Sequence, residues 1–261
     1  MNITKNDLDH LKYAKNLLEN PSLAAKISNL LGTAIEKGLK YLPAKWNDIV
    51  QSATTKSLEK ALNFAVKTMD DKTKPPSSNR THKILVAATG ASGGSFGLPA
   101  LAIELPVTTT IMLRSIADIA RSEGEQINMV ETKLECLNVF ALGGPSKNDD
   151  GTETGYFAVR AALAHAVSDA AKYIAEKGLV QESAPALVKF IAVVAARFGI
   201  VVSEKVAAQA IPLIGGLGGL LINTVFIDHF QDMARGHFTI RRLEKVYGKE
   251  LVRGEYDKLD T

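Results

Sequence analysis

Two long stretches without a formal charge stand out in the pattern of hydrophobic and polar positions along the chain. The first runs from Ile84 to Ile103 and the second from Val206 to Ile227, which is 20 and 22 residues. Because a transmembrane helix needs about 20 apolar residues, length alone permits membrane spans. Both stretches contain Gly and Pro, and Glu104 follows the first, where a charge in a bilayer is costly. The pattern therefore favours a pair of buried helical segments.

Helical spacing of apolar residues covers most of the remaining chain. Thr4 with Asp7, and Asn128 with Glu131, have the spacing of helix N-terminal capping pairs. Strand-like sequence is confined to HKILVAATG, with no alternating runs beside it. The sequence therefore predicts an all-α, multi-helix domain with two central Gly-rich apolar helical segments. Further helices are predicted over residues 4–70, 128–142, 156–178, 183–209, 212–235 and 237–247.

The segment DDKTKPPSSNR, residues 70–80, is the clearest linker because it is polar and contains two prolines. We expect an N-terminal helical region over residues 1–70, a linker over 71–80 and a helical core over 81–250. The charged residues 251–261 predict a flexible tail. These parts are expected to form one integrated domain.

Composition narrows the function classes. The chain has 31 basic and 28 acidic residues, a balance too even for a nucleic-acid-binding surface. The single Cys136 excludes an internal disulfide framework and fits a reducing cytoplasm. The polar N-terminus has no signal-peptide pattern, so we expect a cytoplasmic protein. No cofactor-binding motif is present, and none is expected.

The glycines of the two charge-free stretches predict close helix packing. Gly90 and Gly94, and likewise Gly215 and Gly219, lie four residues apart and so share one helix face. Small residues also leave space, so the same helices would line a cavity for a lipid or another apolar ligand. The residues that we expect to line its apolar part are Leu98, Leu101, Leu217 and Leu221.

Charged residues follow both stretches and predict a polar end to this cavity. Arg114, Asp118 and Arg121 share one helix face, where exposed pairs contribute little to stability. Glu104 needs a partner if it is buried, and Arg114 or Arg235 is the predicted one. The remaining residues that we expect at the polar end are Asp228, His229, Asp232, Arg235 and His237, with His237 beyond a bend at Gly236.

Two enzymatic alternatives remain open. GASGG, residues 90–94, matches the G-x-S-x-G pattern, which would make Ser92 a nucleophile. Its triad partners would be Asp169 or Asp228 and His229 or His237, although the many strands of an α/β hydrolase are missing. A metal site at Asp228, His229 and Asp232 would need further ligands. Cys136 and His165 have apolar neighbours and are expected in the core.

Two long segments together resemble the bacterial EcsC family. These are GGSFGLPALAIELPVTTTIMLRSIADIARSEGE and AIPLIGGLGGLLINTVFIDHFQDMARGHFTIRRLE, and the resemblance covers roughly residues 50–250. The chain departs from the family at Glu104, where Asp is usual. The resemblance implies that the two segments form one functional unit, but it implies no reaction.

We expect from these observations a non-enzymatic protein that binds a lipid or another apolar ligand and that lies in the cytoplasm or peripherally at the inner membrane. The family is named for a gene beside those of an ABC transporter, which implies a third function, that of an accessory partner of a membrane transporter. No nucleic-acid partner is expected.

Overall fold

The structure is a computed structural model that describes residues 3–19, 23–31, 35–69, 98–144, 155–178, 184–211 and 215–259. Within these ranges it contains only helices, which confirms the all-α prediction. Two 3-10 helices cover Ile35–Tyr41 and Val139–Ala141. The α-helices are α1 (Lys5–Glu19), α2 (Leu23–Leu31), α3 (Trp46–Thr68), α4 (Leu98–Ser122), α5 (Val130–Asn138), α6 (Tyr156–Lys177), α7 (Pro185–Gln209), α8 (Gly215–Tyr247) and α9 (Lys249–Lys258).

The long helix α8 organises the core and is not interrupted at Gly236, so the predicted bend there is wrong. A Cβ built at Gly236 would lie 2.6 Å from Cγ of Leu18 and 3.1 Å from the carbonyl oxygen of Ala14. Gly236 therefore allows close approach of α1, and this tertiary packing outweighs the low helix propensity of glycine.

The helix α4 lies between α3 and α8 and runs parallel to α8. Three side-chain contacts show the parallel direction: Asn223 to Glu104, Gln231 to Ser115 and Arg242 to Glu123. From one contact to the next, the residue number increases on both sides. The N-terminal ends of α4 and α8 consequently lie at the same end of the molecule. The antiparallel helix α7 brings its C-terminal end there as well.

Four phenylalanine rings fill the core between α7 and α8. The centroid of the Phe140 ring lies 4.9 Å from that of Phe198 and 5.2 Å from that of Phe230, and Phe226 lies 5.2 Å from Phe230. All four side chains are fully buried. Tilted and edge-on contacts of this kind stabilise a core beyond the burial of area alone.

Three local predictions have different outcomes. The Thr4 cap is confirmed, because its hydroxyl accepts a hydrogen bond from the Asp7 amide at 3.2 Å. The Asn128–Glu131 cap is not formed, since α5 begins after Met129 without a side-chain cap. The predicted flexible tail is wrong as far as Lys258, because α9 is helical and buries Val252 and Tyr256 against the other helices.

One described helix, α7, is long and apolar enough to cross a membrane, with a mean hydropathy of 2.1. Half of its apolar window is buried within the protein. The second charge-free stretch instead spans the end of α7 and the first half of α8. The linker prediction, and the first charge-free stretch up to Gly97, lie outside the described residues.

Candidate functional site

A buried ion pair joins the ends of the two charge-free stretches. Nζ of Lys205 lies 2.8 Å from Oε1 of Glu104, and Nδ2 of Asn223 donates a hydrogen bond of 3.2 Å to the same oxygen. Lys205 is 0% exposed and Glu104 is 8% exposed. Glu104 follows the first stretch directly and Lys205 precedes the second directly. We call these three residues the Glu104 cluster.

The predicted partners of Glu104 are wrong, because neither Arg114 nor Arg235 makes this ion pair. Arg114 is ten residues further along α4, or about 15 Å at the rise of an α-helix. Its guanidinium lies 5.3 Å from the centroid of the Phe64 ring. Arg235 instead donates a hydrogen bond of 2.9 Å to Asp232.

Exposed apolar side chains lie close along the chain to the Glu104 cluster and to Gly38. Gly38 brings the 3-10 helix against the backbone of Ala207, two residues from Lys205. We call the following exposed side chains, which lie within three residues of Gly38, Glu104 or Asn223 along the chain, the apolar end: Leu39, Tyr41, Ile103, Val107 and Leu221. Among the predicted cavity residues, Leu221 is thus exposed and Leu101 is buried, while the side chains of Leu98 and Leu217 lie outside the described residues.

The predicted polar residues do not gather into one group with Glu104. Asp118 accepts a hydrogen bond of 2.8 Å from Arg121, its neighbour one turn away. Asp232 accepts one from Arg235 and lies 3.4 Å from Nζ of Lys26. These are partly exposed pairs, which typically contribute less than about 1 kcal/mol each. Asp228 is half-buried on α8.

His229 is buried rather than presented at a polar rim. Burial, reinforced by the positive charge of Lys26, lowers the pKa of its imidazole to about 3, so the ring is neutral at physiological pH. The backbone of Gly143 lies against this ring. Among the described side chains, no three His, Cys, Asp or Glu residues converge as a metal site requires.

The hydrolase prediction at Ser92 is not tested, because Ser92 lies outside the described residues. Of its proposed partners, Asp169 lies 3.4 Å from Nε2 of His165 on the exposed surface of α6. The prediction that His165 lies in the core is therefore wrong. Cys136 is buried in the core, and burial raises the pKa of its thiol, which keeps it protonated and unreactive.

His237 belongs to a second buried polar group, which the sequence did not indicate. The Tyr156 hydroxyl lies 2.8 Å from Nδ1 of His237, and Nε2 of His237 lies 3.2 Å from Oε2 of Glu135. Because an ionised carboxylate only accepts hydrogen bonds, Nε2 carries the proton and Nδ1 accepts from the tyrosine. Burial raises the pKa of Tyr156 and thus keeps its hydroxyl protonated.

The chain of contacts continues from Glu135 to the surface. Oε1 of Glu135 lies 3.3 Å from Arg241, Arg241 lies 2.8 Å from Glu125, and Glu125 lies 2.9 Å from Lys245. Burial opposes ionisation of Glu135, but the hydrogen bond from His237 and the charge of Arg241 outweigh it and lower its pKa to about 2. We call this chain from Tyr156 to Lys245 the Glu135 cluster.

A groove with a volume of about 1120 Å³ opens beside the Glu135 cluster. Helices α5 and α6 form two of its walls, and the end of α8 with α9 forms the third. Arg160 crosses the groove and makes two hydrogen bonds to Glu244, of 2.8 and 2.9 Å. No pattern in the sequence indicates Glu135, Tyr156 or Arg160. Lys205 does have a usable signal, its place directly before a charge-free stretch.

These features describe an all-α protein with a buried ion pair at one end and a polar groove elsewhere. The chain belongs to the EcsC protein family, whose model matches residues 12–243. The family match confirms the resemblance and extends it to the N-terminal helices. No curated protein and no solved structure matches the chain.

Proposed function

We propose that this protein binds lipid at a membrane surface through the apolar end. The observation that carries the proposal is the Glu104–Lys205 ion pair, which brings both charge-free stretches to the place where apolar side chains are exposed. Ile103 is 76% exposed and Leu221 is 45% exposed. Both side chains belong to the same stretches that the sequence alone marked as suited to an apolar environment.

The concentration of exposed side chains supports membrane contact more than their number does. Single exposed hydrophobic residues are normal on a protein surface, whereas a group of them indicates an interaction site. Of eleven large hydrophobic side chains exposed within the described residues, five form the apolar end. Lys37, Lys40 and Lys45 are exposed on the segment that carries Tyr41, and such cations are attracted to anionic lipid head groups.

Vesicle flotation tests this proposal. The purified protein is mixed with vesicles of phosphatidylglycerol and phosphatidylcholine, and we expect it to float with them. Ile103→Asp and Leu221→Asp should each reduce the bound fraction by about tenfold, because a charge must then be desolvated at the lipid surface.

Val188→Asp is the matched control, since Val188 is 51% exposed at the opposite end of α7. This variant should bind vesicles as well as the unmodified protein. Vesicle binding that is equally lost in all three variants, or is absent in the unmodified protein, would contradict the proposal. Absence of vesicle binding together with stable capture of a membrane transporter would favour the accessory-partner alternative.

A further inference from the structure

The groove beside the Glu135 cluster has an apolar floor that the fold leaves uncovered. Its residues on α6 are spaced three and four apart, so they form one face of the helix. This face runs from Ala161 to Ala175, which are about 21 Å apart along the helix axis. The neighbouring face of α6 carries Leu163, Ala170 and Ile174 and is buried in the core. The side chains of the floor are Ala161, Ala164, Val167, Ser168, Ala171 and Ala175.

The charged side chains in the depth of the groove are already neutralised by one another. Arg160 is paired with Glu244 through two hydrogen bonds. Glu135 is paired with Arg241, and its second oxygen contacts His237. A charged ligand group would have to displace one of these buried pairs, which is costly. The depth of the groove therefore suits a polar group without charge.

Asn138 provides an acceptor for such a group. Its side chain lines the groove and is 5% exposed, and its Nδ2 donates a hydrogen bond of 3.2 Å to Glu135. Because the carboxylate only accepts, the amide orientation is fixed with Nδ2 toward Glu135. The buried Oδ1 has no hydrogen-bond partner among the described residues, a situation that costs about 1–3 kcal/mol.

We propose that the groove binds a neutral amphiphile, a molecule with an apolar chain and a hydroxyl or amide hydrogen-bond donor at one end. The apolar chain of the ligand lies along the floor of the groove on α6. The donor bonds to Oδ1 of Asn138, a buried acceptor on a side chain that lines the groove. This site is separate from the apolar end and does not depend on membrane binding.

Isothermal titration with three probes of equal chain length tests the proposal. 1-Monolauroylglycerol has hydroxyl donors, laurate is an anion without a donor, and methyl laurate is neutral without a donor. We expect 1-monolauroylglycerol to bind about tenfold more tightly than either of the others, the value of one good hydrogen bond. Equal or tighter binding of laurate would overturn the proposal and indicate an anion site instead.

Variants separate the two parts of the site. Asn138→Leu should weaken binding of 1-monolauroylglycerol about tenfold and leave methyl laurate unchanged. Ala164→Trp should abolish binding of both probes by filling the floor, whereas Ala162→Trp, exposed on the same helix outside the groove, should leave both unchanged. Unchanged binding in Ala164→Trp would show that the probes bind elsewhere. The probes are used below their aggregation concentration, so the titrations involve no lipid surface. Failure of vesicle flotation therefore leaves these results unaffected.

Discussion

The Glu104 cluster and the Glu135 cluster are both buried and both contain ionised groups, but they are organised differently. Within the described residues, Glu104 is paired with one cation, Lys205, and the pair is enclosed by apolar helices. In the Glu135 cluster each carboxylate has two basic partners: Glu135 has His237 and Arg241, and Glu125 has Arg241 and Lys245. The second cluster also reaches solvent through Lys245.

The difference indicates how each cluster responds to loss of one member. Removal of one partner of an isolated buried pair leaves an uncompensated charge in an apolar environment. Removal of one member of a branched chain leaves the other charges with partners. The Glu104 cluster should therefore be sensitive to any single substitution, and the Glu135 cluster should tolerate several.

The largest effect is expected for Lys205→Met, which leaves the Glu104 carboxylate buried beside Asn223 alone. The free energy of unfolding should fall by about 3–5 kcal/mol. Urea unfolding followed by circular dichroism measures this change.

The double variant Glu104→Leu/Lys205→Met is its control. Because both charges are removed together, most of the lost stability should return. A double variant that is as unstable as Lys205→Met would show that packing, rather than the orphaned charge, accounts for the loss.

The second largest effect is expected at acid pH, which should weaken the Glu135 cluster. The pKa of Glu135 is lowered from 4.5 to about 2, so the folded state favours the ionised form. Its contribution to stability is fully present above pH 4.5 and is lost as the pH falls toward 2, with an upper limit of a few kcal/mol at about 1.4 kcal/mol per pKa unit.

Urea unfolding at a series of pH values checks this. Glu135→Gln should flatten the loss of stability below pH 4.5. The loss that begins near pH 6.5 should persist in this variant, because it arises from His229 and His237, whose pKa values are lowered by burial and which must be neutral in the folded state. An unchanged acid profile in Glu135→Gln would contradict the assignment.

At neutral pH the same Glu135→Gln variant should be less destabilised than Lys205→Met. Arg241 keeps Glu125 as a partner, and His237 keeps the Tyr156 hydroxyl. We expect a loss of about 1–3 kcal/mol, the cost of weakened hydrogen bonds at buried groups. A loss as large as that of Lys205→Met would remove the proposed difference between the clusters.

The smallest effect is expected for Tyr156→Phe, which removes one hydroxyl and leaves Nδ1 of His237 without its donor. The loss should be about 1 kcal/mol, the lower end of the cost of leaving one buried acceptor without its partner. Thermal unfolding of this variant beside Tyr173→Phe, a tyrosine elsewhere on α6, separates the hydrogen bond from a general effect of the substitution.

The fold class could be predicted from the sequence because helical spacing of apolar residues is a local signal that extends over many turns. The break predicted at Gly236 was wrong because helix propensity is local, whereas the close approach of α1 is a tertiary effect. The prediction of a flexible tail was also wrong, because residues in this segment form a helix. Val252 and Tyr256 lie four residues apart on it and are both buried. That spacing indicates one buried helix face within a segment that is otherwise charged.

The candidate sites could be predicted less well. Sequence spacing shows which residues share a helix face, but it does not show which helices are neighbours. Glu104 was expected to need a partner and has one, yet the partner comes from α7 rather than from the two segments under consideration. Asn138 and Arg160 line a groove that exists only after three separate parts of the chain have packed together.

The packing of α1 against α8 and α9 has a consequence for the order of folding. Nζ of Lys15 donates hydrogen bonds to the carbonyl oxygens of Tyr256 and Leu259, which follow it by more than 240 residues. Contacts between such distant residues form late, since the intervening chain must first be brought together. During synthesis, α1 emerges before α8 and α9 and can pack against them only after they have been made. Until then Leu11 and Ala14, which are fully buried in the finished molecule, remain exposed to water and to other chains.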